Sequence, residues 1–439
     1  MHFILSPMGS AGDVHPFLGL ALALRERGHR ITFVVVQYFE ELIRRHGLEY
    51  VQVGTTEEFL ASLNNPNLWN PRKALQHVYE AGIRPSMPLQ LEALANHYVQ
   101  GQSVVLSSCL GFGALLAREK LGLPLLTVDL QPAVLWSDIA PPRIPGGFGP
   151  AWVQRLLYRI GVRFIIDPVI LPSLNAYRRD LGLAPVASVP PWWHSPDGVV
   201  CLFPEWFCPP QADWPPGVVQ TDFPLWDERA DEPLANDVEA FLASGDKPIV
   251  FTPGSANLHA REFFRVAIDA CRRLSRRGIL LTRFAEQIPA NLPPTVRHFA
   301  YVPLSPLLPR CAALVHHGGI GTTSQAMAAG VPQLIMALAH DQFDNADRIK
   351  RLGIGDWLTP TWLTGRRVAR MLGRLLSSDA TRTACRTVAQ RLARRDGIAR
   401  TAAAVEAWAF RAVRQSPSKS AAPCRVHGTL TSSATDGVI

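Results

Sequence analysis

The chain holds 439 residues, 47% of them hydrophobic, with a formal net charge of +8. That length accommodates two domains with cores of their own. The seven scattered cysteines (Cys109, Cys201, Cys208, Cys271, Cys311, Cys385 and Cys424) form no C-x-x-C pair, which excludes a disulfide or zinc framework and fits a reducing compartment.

The first apolar run, HFILS, is followed by SPMGSAGDVHPF, where Asp13 and His15 interrupt any signal-peptide core. No later run reaches the roughly 18 apolar residues of a spanning helix, so the expectation is a cytoplasmic protein. HFILS reads as a strand, Leu18 to Arg27 as a helix stopped by Gly28, and ITFVVV as a second strand. Such a βαβ unit implies a parallel sheet. VVLSS, LLTVDL and GVVCLF continue it, giving a doubly wound α/β domain over 1–222. The stretch PEWFCPPQADWPPGVVQTDFPLWDE reads as an irregular, stiff connection, with Trp192, Trp193, Trp206 and Trp214 as its packing.

A second alternating pattern follows over 223–410: KPIVFTPGS, a helix from Glu262 to Arg277, then GILLTRF, TVRHFAYV, AALVHHGG, SQAMAAG and PQLIMA. The expected architecture is two Rossmann-like domains facing each other. Residues 411–439, rich in Ser, Thr and Ala without periodicity, read as a disordered tail. From Arg366 to Arg400 only Asp379 and Asp396 oppose many arginines. That stretch is either a solvated helical face or a basic patch for an anionic lipid surface or substrate. No zinc-finger, RRM or KH pattern accompanies it, so nucleic acid is not an expected partner.

Two stretches carry chemistry. In ALVHHGGIGTTSQAMAAGVPQLIMALAHDQFDNADRI, an apolar strand runs into two histidines, three glycines and two threonines, and then a helix. Glycines let backbone approach a ligand, helix-terminal amides favour an anion, and a histidine can donate to a phosphate oxygen. The pattern describes a diphosphate cradle. In GSAGDVHP, Gly9 and Gly12 allow a turn toward the carboxyl end of the first sheet. There Asp13 is either a helix cap or a carboxylate able to take a proton from an attacking hydroxyl. His15 is the reserve base.

These motifs resemble the nucleotide-sugar glycosyltransferases of the GT-B fold, in the branch of UDP-glucosyl, sterol and glycopeptide glycosyltransferases, up to about residue 410. The resemblance implies that His317, Gly319, Gly321 and Thr322 contact the donor diphosphate, with His316 as the alternative histidine. It implies that Gly254 and Ser255 also meet phosphate, and that Asp341 and Gln342 hold sugar hydroxyls. Tyr301 and Val302 stand where the family has a W-x-P-Q element against the base. Gln325 replaces the glutamate that binds ribose in plant members. Asp13 matches the base of the sterol and glycopeptide branch. No cofactor and no metal ion is expected, because amides and His317 would neutralise the leaving diphosphate.

A narrower resemblance, to rhamnosyltransferases of rhamnolipid synthesis, rests on WWHSPDGVVCLFPEWFCPPQADWP, NLWNP, LNAYRRDLGL and AHDQFDNADRIKRLGIG. It implies transfer of L-rhamnose from dTDP-L-rhamnose to the hydroxyl of a 3-(3-hydroxyalkanoyloxy)alkanoic acid, with peripheral contact at the inner face of the membrane. The alternatives are a UDP-glucose-dependent transferase acting on a sterol, carotenoid or polyketide, and a sugar-nucleotide 2-epimerase. Apolar loops at Leu68–Trp69, Val134–Trp136, Phe148 and Trp152 suggest an acceptor groove lined by Trp69 and Trp136, with Arg143 for an acceptor carboxylate.

Overall fold

The computed structural model describes residues 1–144, 147, 149–229 and 232–415. Strands β1 (His2–Ser6), β2 (Arg30–Val35), β3 (Glu49–Gln52), β4 (Ser103–Ser107), β5 (Leu125–Asp129), β6 (Val199–Cys201) and β7 (Val218–Gln220) form a seven-stranded sheet in the order β3-β2-β1-β4-β5-β6-β7. Strands β8 (Ile249–Thr252), β9 (Gly278–Leu281), β10 (Val296–Phe299), β11 (Ala313–His316), β12 (Gln333–Met336) and β13 (Gly355–Leu358) form a second sheet, ordered β10-β9-β8-β11-β12-β13. Every pairing is parallel. The central strands read as continuous apolar runs because helices cover both faces of the sheet. Phe3, Ile4 and Leu5 in β1 and Leu314 and Val315 in β11 are buried accordingly.

Three departures from the sequence reading have physical causes. The first long helix is Ala11–Glu26, seven residues earlier than its apolar periodicity suggests. Ser10 starts it and Asp13 closes a capping box, which outweighs the cost of Pro16 inside the helix. The Pro- and Trp-rich connection contains β7, because the Val-Val-Gln between Gly217 and Thr221 adds to the free edge of β6. Prolines flank this edge strand without entering it, as an edge tolerates. The closing helix, Gly397–Gln415, lies on the first sheet and not in the second domain. Ala402, Val405 and Ala409 are buried there, and Trp408 Nε1 donates to the carbonyl of Asp197 at 2.8 Å. Arg395 and Arg400 both reach Asp222, pinning this return to the end of the connection. The expected tail therefore begins inside a helix, and residues 416–439 lie outside the described residues.

One apolar cluster joins the domains. It runs from Phe3, Phe17 and Phe33 of the first to Ile320, Ile335 and Phe343 of the second. Among the described residues no helix is long and apolar enough to cross a membrane.

Candidate active site

Both sheets turn the carboxyl ends of their strands to one crevice, the place where open parallel sheets bind ligands. The walls touch at several points. His340 Nε2 donates to the carbonyl of Leu68 at 3.0 Å, and His259 Nε2 donates to that of Asn64 at 2.9 Å. The amide of Arg143 donates to Asp344 at 2.9 Å.

From the first domain comes Asp13. Its Oδ2 accepts from the amide and hydroxyl of Ser10, at 2.7 and 3.2 Å. The carboxylate crowds so close under Gly9 that a Cβ there would collide with it, and Gly9 itself is at φ +129°. The helix cap is thus Ser10, with Asp13 as its reciprocal partner. Burial pushes the Asp13 carboxyl up to about 6, against the two Ser10 hydrogen bonds that favour the charged form. His15 packs edge-on against Trp226 of the connection, 5.3 Å between centroids, and burial lowers it to about 4.

The Gly-rich loop of the second domain separates the two histidines. His316 ends β11 with no exposed surface. Its Nε2 meets Gln333 at 2.9 Å and its Nδ1 accepts from the Gly318 amide at 3.1 Å. Both ring nitrogens are committed inside the protein, so His316 is not the ligand-facing histidine; it fixes the loop. His317 turns the other way. Its ring lies between Gly254 and Gly319, where an added Cβ would come within 2.7 Å of Cε1 and 2.5 Å of Nε2, respectively. Gly254 also sits at φ +93°. The loop after β8 and the loop after β11 thus close on one imidazole, and any side chain at Gly254 would push the ring out. Burial lowers His317 to about 4, so the ring is neutral, and its Nδ1 is buried without a partner. Ser255 beside it is exposed.

The helix Ile320–Ala328 begins at Gly319 and carries Gly321 and Thr322 in its first turn. Thr323 is the first to reach back, its amide bonding the Gly319 carbonyl at 3.0 Å. The amides before it are the unpaired donors of a helix N-terminus, positioned for an anion.

Asp341 starts the helix Gln342–Arg351. Burial pushes its carboxyl up to about 7, and the charge on Asp13 across the crevice adds to the rise. Gln342 turns its amide oxygen to the amides of Leu338 and Ala339, at 2.7 and 3.2 Å. Asn345, not singled out from sequence, donates to the Gly318 carbonyl at 2.9 Å and to Asp341 Oδ2 at 2.6 Å. It ties the Gly-rich loop to the sugar-side carboxylate. Its place one helical turn after Asp341, in DQFDN, was the available signal.

Elsewhere the expectations divide. Tyr301 is half-buried; its hydroxyl donates to the carbonyl of Glu228 at 2.6 Å, and the Arg283 guanidinium lies 5.3 Å over its ring. Val302 is a core side chain and offers a ligand only its backbone. Trp69 stands in the crevice, edge-on to His340 at 5.8 Å, with Nε1 buried and unpartnered. Trp136 packs on Tyr158 at 3.9 Å and, with Trp192, His194 and Trp214, lines a cavity of about 660 Å³. Trp193 and Trp206 pack into the core clusters. Arg143 is drawn to the second domain, its guanidinium 3.8 Å from Asp347, and so bridges the domains. Leu135 is core, Trp152 faces outward, and Phe148 lies outside the described residues. Among the described residues no group of three or more His, Cys, Asp or Glu is arranged to hold a metal ion.

Residues 3–135 match the Glycosyltransferase family 28 N-terminal domain, and residues 278–405 match the C-terminal domain of erythromycin biosynthesis protein CIII-like proteins. The O-mycaminosyltylonolide 6-deoxyallosyltransferase of Streptomyces fradiae is 27% identical over 93% of this chain and 98% of its own length. The glycosyltransferase of kitacinnamycin superposes with a TM-score of 0.72 at 21% identity, covering 93% of this chain and 98% of that one. A spinosyn rhamnosyltransferase complexed with thymidine diphosphate superposes at 0.66 and 16% identity, covering 92% and 100%. With a family 28 first domain, a CIII-like second domain and a crevice between their sheets, the chain is a nucleotide-sugar glycosyltransferase of the GT-B type.

Proposed function

We propose that this protein transfers L-rhamnose from dTDP-L-rhamnose to the hydroxyl of an apolar acceptor of the 3-(3-hydroxyalkanoyloxy)alkanoic acid class, with inversion at the anomeric carbon. The observation that carries the chemistry is the pairing of Asp13 on one wall with the His317 cradle on the other. In the reaction the acceptor oxygen attacks the anomeric carbon and its proton passes to the Asp13 carboxylate. The bond from that carbon to the diphosphate oxygen breaks, and its electron pair leaves with the nucleoside diphosphate. The helix amides from Ile320 to Thr322 and the neutral imidazole of His317 donate to the leaving oxygens. Asp13, raised to about 6, is ionised at pH 7 yet basic enough to take the proton. Asp341 and the Gln342 amide orient the sugar hydroxyls.

The donor assignment is supported by Gln325, buried in the second turn of the cradle helix where a ribose-binding carboxylate would stand, which suits a deoxyribose. It is also supported by the thymidine diphosphate held by the spinosyn rhamnosyltransferase of the same fold. The acceptor class is supported by Trp69 at the crevice and by the apolar walls of the cavity beside Trp136.

A substrate screen with purified protein tests this reading. It predicts that dTDP-L-rhamnose is used in preference to UDP-glucose and that kcat/KM rises with acceptor chain length. Preference for UDP-glucose with a sterol or polyketide, or release of a free epimer without acceptor, would replace the proposal.

A further inference from the structure

The first domain carries an apolar row that the reaction does not use. The helix Ala151–Gly161 runs through a π-helical turn, Val162–Ile166, into the helix Asp167–Asp180. Along its first part Trp152, Leu156, Ile160 and Phe164 recur every fourth residue and are 64%, 52%, 44% and 70% exposed. That spacing puts them on one side of the helix, over about 18 Å of its axis. Ile165, in the π-helical turn, and Ile139, in the preceding loop, are exposed as well. The opposite side is the anchored one: Tyr158 is buried against Trp136. A solvated helix shows polar residues outward; here the outward side shows large apolar ones.

The charges interleaved with the row along the helix are basic. Between Ile139 and Ile166 the sequence has four arginines and no acidic residue. Arg155, Arg159 and Arg163 are interleaved with the apolar side chains. Asp138, just before this span, pairs with Arg159. Arg163 is exposed.

Width decides between the two kinds of cover an apolar row can take. The row is about one side chain wide. Covering all six side chains buries on the order of 600 Å², less than the roughly 800 Å² each partner contributes to a stable protein complex. A lipid boundary makes no such demand. A few large side chains enter it, and neighbouring cations reach the headgroup phosphates. The arginine-rich helices Gly365–Ser377 and Asp379–Ala393 lack such a row, with Trp362 as the exposed aromatic beside them.

We infer that the face of residues 151–166 is a docking surface for an anionic phospholipid bilayer, in which Trp152, Leu156, Ile160 and Phe164 insert and Arg159 and Arg163, both exposed, meet the headgroup phosphates. The inference is independent of which sugar or acceptor the crevice takes. It also locates membrane contact away from the arginine-rich stretch at 366–400.

Co-sedimentation of the full chain with vesicles tests it. The protein is expected to sediment with phosphatidylethanolamine–phosphatidylglycerol vesicles, weakly with pure phosphatidylcholine, and less as salt rises. A Trp152→Ser/Phe164→Ser variant is expected to lose at least about tenfold in partition, the single Phe164→Ser variant less, and Phe164→Leu little. An Arg159→Gln/Arg163→Gln variant is expected to lose the preference for anionic vesicles. Nucleotide affinity and the thermal midpoint of each variant should match the wild type, which verifies the fold. Absence of sedimentation with anionic vesicles, or equal sedimentation of wild type and the double serine variant, overturns the inference. So does a wild-type dimer in light scattering that the double serine variant reduces to a monomer, because a second copy then covers the row.

Discussion

Replacing Asp13 by asparagine separates two consequences of the same burial. The carboxyl rises from 3.8 to about 6, a shift that corresponds to a ceiling of about 3 kcal/mol held against the ionised native state. Asp13 is partly open to the crevice, and solvent screening brings the expected figure to about 1–2 kcal/mol. An asparagine oxygen can still accept from the Ser10 amide, so the helix cap survives while the charge disappears. The native pKa lies above the unfolded one. The wild type therefore loses stability relative to Asp13→Asn as pH rises from about 4 to about 6, and the gap is constant above that window. At pH 7 the variant should unfold at a higher temperature than the wild type, whereas at pH 4 the two should coincide. Turnover should move the opposite way, falling by about 10²–10⁴-fold with donor affinity nearly intact. Scanning calorimetry at both pH values and a continuous assay of nucleotide release measure the two effects. Turnover within a few-fold of wild type, with His15→Ala abolishing it, would refute the assignment of the base.

Removing the cradle imidazole should act on nucleotide binding as well as rate. His317→Ala is expected to weaken thymidine diphosphate by about 1.5–3 kcal/mol in calorimetry, and Gly254→Ala should reproduce much of that loss by displacing the ring; unchanged affinity in both variants would move the diphosphate elsewhere. The pH–rate profile should show an acid limb between about 6 and 7 that belongs to Asp13 and Asp341 together. Asp341→Asn removes a negative charge facing Asp13, so it should shift the remaining limb to lower pH; a shift upward contradicts the facing arrangement. Excess EDTA should leave the rate unchanged, and inhibition reversed by Mg²⁺ would assign the diphosphate charge to a metal ion.

The elements at the centre of each sheet could be read from the sequence because their burial on both faces leaves uninterrupted apolar runs such as HFILS and AALVHH. Three of the four edge strands could not, β10 within TVRHFAYV being the exception. β3 has half-buried or exposed residues throughout, and β7 is three residues among prolines, so neither carries an apolar signature. The start of the first helix was hidden because Pro16 imitates a boundary, while Ser10 and Asp13 set it from outside the apolar repeat. His316 and His317 are adjacent and chemically identical in sequence. Only the strand alternation distinguishes them, sending one toward Gln333 on β12 and the other between Gly254 and Gly319. The cross-domain contacts of Arg143 were hidden for a different reason: Asp344 and Asp347 lie some two hundred residues away, and nothing local announces them. His340 was missed similarly, since its contact with Leu68 crosses the domains.

The central claim, that one displacement assisted by Asp13 moves the sugar, is tested most directly by the anomeric configuration of the first-formed product. NMR of glycoside produced under initial-rate conditions reads it from the one-bond carbon–proton coupling at the anomeric position, because in a sugar with an axial 2-hydroxyl the proton–proton coupling is small in both anomers. A single attack from the acceptor side predicts a configuration opposite to that of the donor. A retained configuration would contradict the account, because it requires either a second displacement from a protein nucleophile or attack on the same face as the leaving diphosphate, and neither role belongs to a base at Asp13.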